Sequence, residues 1–369
     1  MVSFTFSAVA LLAALLSTTL AQTHTDCNPL NATGCPNMQA LGGNATFHFN
    51  DTMSDSIWKE KNAGKIDWSS KGTTFTIEGR GDSPMIQSTF YLFFGRVSVI
   101  MKAAAGQGIV SSAILQSECL DEIDWEFLGT NTTHVLTNYF GKGNTTDYTR
   151  GKDYPMDPPQ EAFHNYTIDW TRERIQWLID GRMLRELKYE EALGGKNYPQ
   201  TPMNIRMGVW SGGDVENNDP YTVEWAGGET DFKQAPFTMT VQEVYAQDYT
   251  TATEYSWENM DASGAWEKVK VIEPKEGEKS EALQEIEKPH GVRNRWEALS
   301  KGAKIAIIAS VIGFIVICAC FITFCCIKQR RAGRREFAAL QAEQNKEAAE
   351  LLEYKRQMAS GKFGYGNQI

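Results

Sequence analysis

Histidine is scarce in this chain, with 5 among 369 residues, and the shortage closes off several chemistries. His134 and His164 stand alone without a paired nucleophile, so nothing points to a Ser/His/Asp triad. The 7 cysteines show no Cys/His spacing of a zinc site, and no metal ligand set is expected. There is no internal repeat. Positive charge is short everywhere except at the C-terminus. The net charge is −10, yet the tail from Lys328 carries 9 basic and 5 acidic residues, or +4, leaving −14 for everything before it. So acidic a body argues against nucleic acid as a partner.

Two apolar runs organise what is left. Residues 1–21 hold the run Ala8–Leu16, then Ser17-Thr18-Thr19 and a small residue at Ala21. This reads as a signal peptide, although a basic start is missing, and the run is too short to span a bilayer. Residues 305–327 are 23 residues without a charge, enough to cross the hydrocarbon core as a helix. The basic stretch Lys328–Arg335 follows at once and places residues 328–369 in the cytoplasm, against anionic inner-leaflet lipids. A GPI signal would end in its hydrophobic tail, so a transmembrane anchor in the plasma membrane is expected instead. Glu336–Met358 is rich in Ala, Leu, Glu and Lys and predicts a helix; Gly361 onward predicts disorder. Residues 251–304 are rich in Glu and Lys without an apolar period and predict a charged stalk.

On this reading residues 22–250 face the cell exterior. Asn31, Asn44, Asn50, Asn131, Asn144 and Asn165 each open a glycosylation sequon, in keeping with a secretory route. In an oxidising compartment Cys27 and Cys35 are expected to pair, and Cys119 to be a buried free thiol. Between Thr74 and Tyr249 the chain alternates short β-type runs with Gly, Pro, Asn and Asp. Asp180-Gly181 between two such runs is its best hairpin turn. Many strands and few helices predict an all-β antiparallel sandwich. Tyr221–Trp225 is among the expected strands, and Trp125, Trp170 and Trp177 are expected in the core.

The chemistry concentrates in Asp121-Glu122-Ile123-Asp124-Trp125-Glu126-Phe127. Acids and hydrophobes alternate with period two, so on a strand Glu122, Asp124 and Glu126 share one face. Glu122 and Glu126 would then lie about 13 Å apart at Cα. Side chains leaning inward over a curved sheet could bring the carboxyls to about 5 to 5.5 Å, the separation of a retaining glycosidase. A solvated acidic face or a cation site fits the same heptapeptide, but calcium ligands usually come from loops around the ion. Like charges packed this closely are costly, and such arrangements gather at active sites.

Asp-Glu-Ile-Asp-Trp-Glu resembles the catalytic signature of family 16 glycoside hydrolases in its short form, without a bulge residue. Gly108–Ser112, Thr137–Gly143 and Glu224–Gly228 narrow the resemblance to the Crh-type chitin–glucan transglycosylases of fungal cell walls, from about Cys27 to about Tyr249. The resemblance implies a β-jelly roll with a concave sugar-binding sheet. It implies Glu122 as nucleophile, Glu126 as acid/base that also touches substrate, and Asp124 as the assisting acid. It further implies chitin as donor and β-1,3/1,6-glucan or chito-oligosaccharide as acceptor, with no cofactor beyond a structural calcium in some members. Substrate contacts are implied at Arg206 and Trp210, which alternation places on one face with Gly208, a position that would leave room for a ligand. Thr222 is a further candidate contact, Tyr139 a candidate acceptor-side platform and Gln116 a candidate polar wall; Trp225 belongs either to that surface or to the core. A Cys-rich chitin-binding module is lacking. The rival readings are a hydrolytic endo-β-glucanase or chitinase and a non-catalytic, membrane-anchored wall sensor.

Overall fold

In the computed structural model two antiparallel sheets face each other across an apolar core, with strands numbered along the chain. The structure describes residues 25–51, 53–146, 149–288, 296 and 299–360. The expected signal peptide and the segment from Gly361 lie outside the described residues.

The first sheet has the order β11 (Lys152–Pro155), β10 (His134–Phe140), β9 (Glu122–Leu128), β8 (Ile109–Ser117), β15 (Met203–Ser211), β6 (Met85–Ser88) and β3 (Trp58–Lys61). The second runs β14 (Arg182–Lys188), β13 (Arg174–Ile179), β12 (His164–Trp170), β7 (Gly95–Lys102), β16 (Phe237–Asp248), β5 (Gly72–Ile77) and β4 (Lys65–Ser69), with β2 (Asn44–His48) pairing β16. This is the antiparallel sandwich expected from the strand pattern, in the jelly-roll form that the resemblance implied. Between the sheets lie Ile123, Trp125, Phe127, Trp170 and Trp177, all at most 1% exposed. Trp125 and Phe127 pack edge-on against Tyr166 from the opposite sheet, at 5.6 and 4.6 Å. Burying side chains of this size contributes about 2 to 3 kcal/mol each. The hydrophobes of the acidic heptapeptide therefore clamp β9 from behind. The β13–β14 hairpin turns on Asp180 and Gly181, both left-handed at φ +49 and +80, as a two-residue type I′ turn requires.

Two expectations are corrected. Tyr221–Trp225 is not a strand: Pro220–Trp225 forms the helix α1, whose cap Asp219 accepts from the backbone N–H groups of Tyr221 and Thr222. Five residues of alternating polarity do not separate a period of 2 from one of 3.6, and Asp-Pro at the start is a helix-entry signal. Nor is all of 251–304 a stalk. β17 (Glu254–Ser256) pairs with β1 (Met38–Gln39) and β18 (Lys270–Ile272) in a third, three-stranded sheet. Ala252, Tyr255 and Trp257 are buried in the core, and a short helix α2 (Glu281–Ile286) buries Ala282. Scattered anchors of this kind leave no periodic signature. Tyr255 donates its hydroxyl to buried Asp248, which also receives the backbone N–H of Gly42 and of Phe93.

Cys27 and Cys35 form a disulfide with Cα atoms 5.7 Å apart, and Cys119 is a buried free thiol. None of the six sequon asparagines is buried. Residues from Val292 form a separate unit. Its helix α3 (Lys301–Ala359) takes in both residues 305–327 and the expected Glu336–Met358 helix without a break. It is long and apolar enough to cross a membrane as a single-pass anchor.

Candidate active site

The register of the first sheet fixes which side chains stand beside the acids. Since Ile123, Trp125 and Phe127 enter the core, Glu122, Asp124 and Glu126 occupy the opposite face of β9. Pairing then draws rows across that face. Glu122 lies between Phe140 and Gln116, followed by Asn204. Asp124 lies between Asn138 and Ile114, followed by Arg206, Gln87 and Lys59. Glu126 lies between Leu136 and Ser112, followed by Gly208, Met85 and Lys61. Trp210 sits one row further, beyond Val110 and Leu128.

The three carboxyls are electrostatically bound together. Burial raises the Asp124 carboxyl well above the usual carboxylate range, and the neighbouring charges of Glu122 and Glu126 raise it further. It shares a hydrogen bond with Glu122, and the Arg185 guanidinium only partly offsets the rise. Glu126 is pushed up to about 8, first by burial and then by the charge of Glu122. Gln116 donates from Nε2 to Glu122 at 3.4 Å. Burial and mutual repulsion thus favour the protonated forms of Asp124 and Glu126.

Positioning comes from behind and from the strand end. Trp177 donates its indole N–H to the backbone carbonyl of Asp124 at 3.1 Å. Asp121, fully buried immediately before Glu122, accepts from the backbone N–H of Lys142, Gln200 and Thr201 at 2.9, 2.8 and 3.0 Å. The Thr201 hydroxyl adds a fourth bond at 2.7 Å. The first residue of the acid-bearing strand is therefore held by its predecessor. Alternation marked Asp121 as polar but gave it no role, because its partners lie on distant loops. Asn138, Phe140 and Arg185 went unnoticed for the same reason: register and sheet pairing are not written in the sequence.

Other expected contacts divide. Gln116 and Arg206 stand on the acid-bearing face, Arg206 buried and donating from Nε to Asn204 at 2.9 Å. Trp225 is no core residue: on α1 it is 37% exposed and stacks on Trp210, with ring centres 6.1 Å apart and planes 22° from parallel. Thr222 is half-buried, with its hydroxyl donated to the cap residue Asp219 at 2.7 Å. Tyr139 is corrected outright. It lies opposite Ile123, hence on the core face, buried between the Arg150 and Arg185 guanidinium groups. Gly208 is also explained differently, since a Cβ there would lie 2.6 Å from the Pro84 carbonyl oxygen. Backbone crowding rather than ligand access demands that glycine. Among the described residues no cluster of three His, Cys, Asp or Glu side chains is arranged to hold a metal ion.

Comparison with known proteins agrees with this geometry. A profile for Glycosyl hydrolases family 16 matches residues 50–227. A Crh-like protein of Arthroderma benhamiae is 49% identical over 334 residues, covering 90% of this chain and 89% of its own. Crh-like protein 3 of Aspergillus fumigatus is 45% identical and covers 93% of both. A solved structure of apo Crh5 transglycosylase, 46% identical, superposes with a TM-score of 0.63 over 66% of this chain and 100% of its own. The same transglycosylase in complex with NAG gives 47% identity and the same TM-score, over 66% of this chain and 99% of its own. The acid-bearing strand and these likenesses make the chain a member of glycosyl hydrolase family 16, within its Crh-like group.

Proposed function

We propose that the chain is a retaining transglycosylase of the cell wall, with chitin as donor and β-1,3/1,6-glucan or chito-oligosaccharide as acceptor. Protonated Glu126 gives its proton to the glycosidic oxygen as the Glu122 carboxylate attacks the anomeric carbon, and the leaving sugar departs with the proton. Asp124, hydrogen-bonded to Glu122, orients that carboxylate and steadies its changing charge.

The second half follows from the same electrostatics. Once Glu122 is esterified, its negative charge is gone, and with it one cause of the elevated Glu126 value. Glu126, now ionised and relieved of that part of its rise, takes the proton of the incoming sugar hydroxyl, whose oxygen displaces Glu122. The broken glycosidic bond supplies the energy of the new one. The observation that carries this reading is the single file of three carboxyls on one face of β9, where burial and mutual repulsion favour the proton on Asp124 and Glu126.

On this reading the domain lies outside the plasma membrane, facing the wall, a topology supported by the basic run Lys328–Arg335 that directly follows the apolar span. The test incubates the detergent-solubilised chain with chitin and fluorescent chito- or laminari-oligosaccharides. Fluorescent polymer formed by the wild type, and absent with Glu122→Gln and Glu126→Gln, supports transfer. Reducing ends that accumulate without labelled polymer would instead mark a hydrolase.

A further inference from the structure

The core beneath the acids holds a positive charge. Arg185 lies on β14 of the second sheet and is only 5% exposed. The pairing of β13 with β14 slips by one residue at Leu184, immediately before it. A bulge in such a place re-aims a side chain, and bulges gather beside active sites. From Nη1 Arg185 donates to the backbone carbonyl of Thr137 at 2.8 Å and to its hydroxyl at 2.9 Å, and from Nη2 to the Arg150 carbonyl at 2.8 Å. None of these acceptors is a carboxylate. A guanidinium buried on neutral oxygens gives up its hydration without a counter-charge in contact, which is a costly way to join two strands.

Two routes lead from this group to the acid-bearing strand. The first is mechanical. Trp177 is the residue opposite Arg185 in the sheet, its ring centre lies 4.7 Å from the guanidinium, and its indole N–H meets the Asp124 carbonyl. Thr137 pairs with Trp125, so the same guanidinium also grips β10 beside the strand of the acids. The second route is electrostatic. Burial and the charges of Glu122 and Glu126 raise the Asp124 carboxyl, and Arg185 pulls it back. Burial lowers the guanidinium's own value in turn, and Asp124 is among the groups that restore it. The other charged or titratable groups facing this pair are Arg206 in the Asp124 row, Tyr139 clasped between Arg185 and Arg150, and Tyr154 and Glu191.

We infer that Arg185 is a positioning residue for catalysis: acting through Trp177 and Asp124 from the far side of the sheet, it steadies the strand of the acids and balances their negative charge. The inference rests on the catalytic reading of those acids. In the proposed cycle the negative charge passes from Glu122 to Glu126 as the proton leaves for the glycosidic oxygen, and it returns in the second step. A fixed cation behind the strand serves both stages without touching sugar. Without it the three carboxyls bind their protons more tightly, and since they titrate as a set the whole pH profile moves.

Transfer rates of the full-length chain in detergent, with chitin as donor and fluorescent chito-oligosaccharide as acceptor, are followed across pH for the wild type, Arg185→Gln and Arg185→Lys. Arg185→Gln removes the charge and keeps an amide donor. Its kcat/KM profile moves to the alkaline side by about half to one pH unit, as expected for one charge acting across a strand. Arg185→Lys restores the charge and with it the wild-type profile, while losing the forked bonds and some Tm. A residue that only braced the fold would lower Tm and kcat in both variants and leave both profiles in place. That result overturns the inference, as does a Lys variant displaced as far as the Gln variant. Trp177→Phe keeps a ring and loses the N–H, and it decides the matter should Arg185→Gln not fold. Its kcat falls about two- to tenfold at unchanged KM, as loss of one hydrogen bond predicts; a wild-type kcat overturns the inference. Turnover retained by Glu122→Gln is a different result, which sinks the catalytic reading and the role of Arg185 with it.

Discussion

Glu126→Gln should make the protein more stable while abolishing its turnover, and the stability gain should depend on pH in a defined way. The folded protein holds the Glu126 proton up to about pH 8, against an ordinary value of 4.5. A raised folded value means that the native state binds the proton more tightly than the unfolded chain. Wild-type stability contributed by this group is therefore full below about pH 4.5 and falls as pH rises towards 8. Gln keeps the shape of the neutral acid and has no proton to lose, so the variant escapes the fall. At pH 6 the difference is 1.5 pH units at about 1.4 kcal/mol each, or about 2 kcal/mol. For a domain of this size that raises Tm by about 4 to 8 °C. The raised Asp248 carboxyl, at about 6, contributes equally to both proteins and cancels. Differential scanning calorimetry at pH 4, 6 and 7.5 reads the effect, with transfer assayed on the same samples. Equal Tm values at all three pH values, or a gap that does not widen with pH, would refute the argument that burial and the Glu122 charge store energy here.

Glu122→Gln removes the neighbouring charge and should lower the Glu126 titration midpoint below about 8, measured by carboxyl NMR. An unchanged midpoint would leave burial as the sole cause. Asp121→Ala strands four hydrogen-bond donors and should destabilise by about 2 to 4 kcal/mol in urea unfolding, with kcat reduced well before stability limits the assay. Trp225→Ala should raise KM for oligosaccharides with little change in Tm, whereas Tyr139→Ala should do the reverse, costing about 3 kcal/mol or more, because one ring is half-exposed and the other buried. Interchanged phenotypes would contradict the side of the sheet assigned to each.

How much of this could be read in advance depends on the range of the interaction. Alternation in Glu122–Phe127 placed the acids and their hydrophobic backing on opposite faces, because a strand's period is a purely local property. Which residues flank the acids depends on register, and there the local signal failed. Its aromatic ring makes Tyr139 a candidate sugar platform, yet the residues opposite Glu122 and Asp124 are Phe140 and Asn138. A slip of one residue exchanges the faces, and aromatic character alone does not settle it. The same limit hid Asp121, whose partners lie 21, 79 and 80 residues further on. Residues beyond 250 mislead for another reason: five buried apolar anchors in a Glu- and Lys-rich segment do not change its composition, although they decide that it folds.

The third sheet has a practical meaning for anyone wishing to work with a soluble form. A recombinant piece ended at the last residue of β16 would leave the hydroxyl-bearing partner of Asp248 behind, together with the edge that covers Met38 and Gln39. Carrying the chain on through residue 288 keeps both. A protease that nicks the segment after Tyr249 would accordingly act on the enzyme's own tertiary structure and not on a dispensable tether.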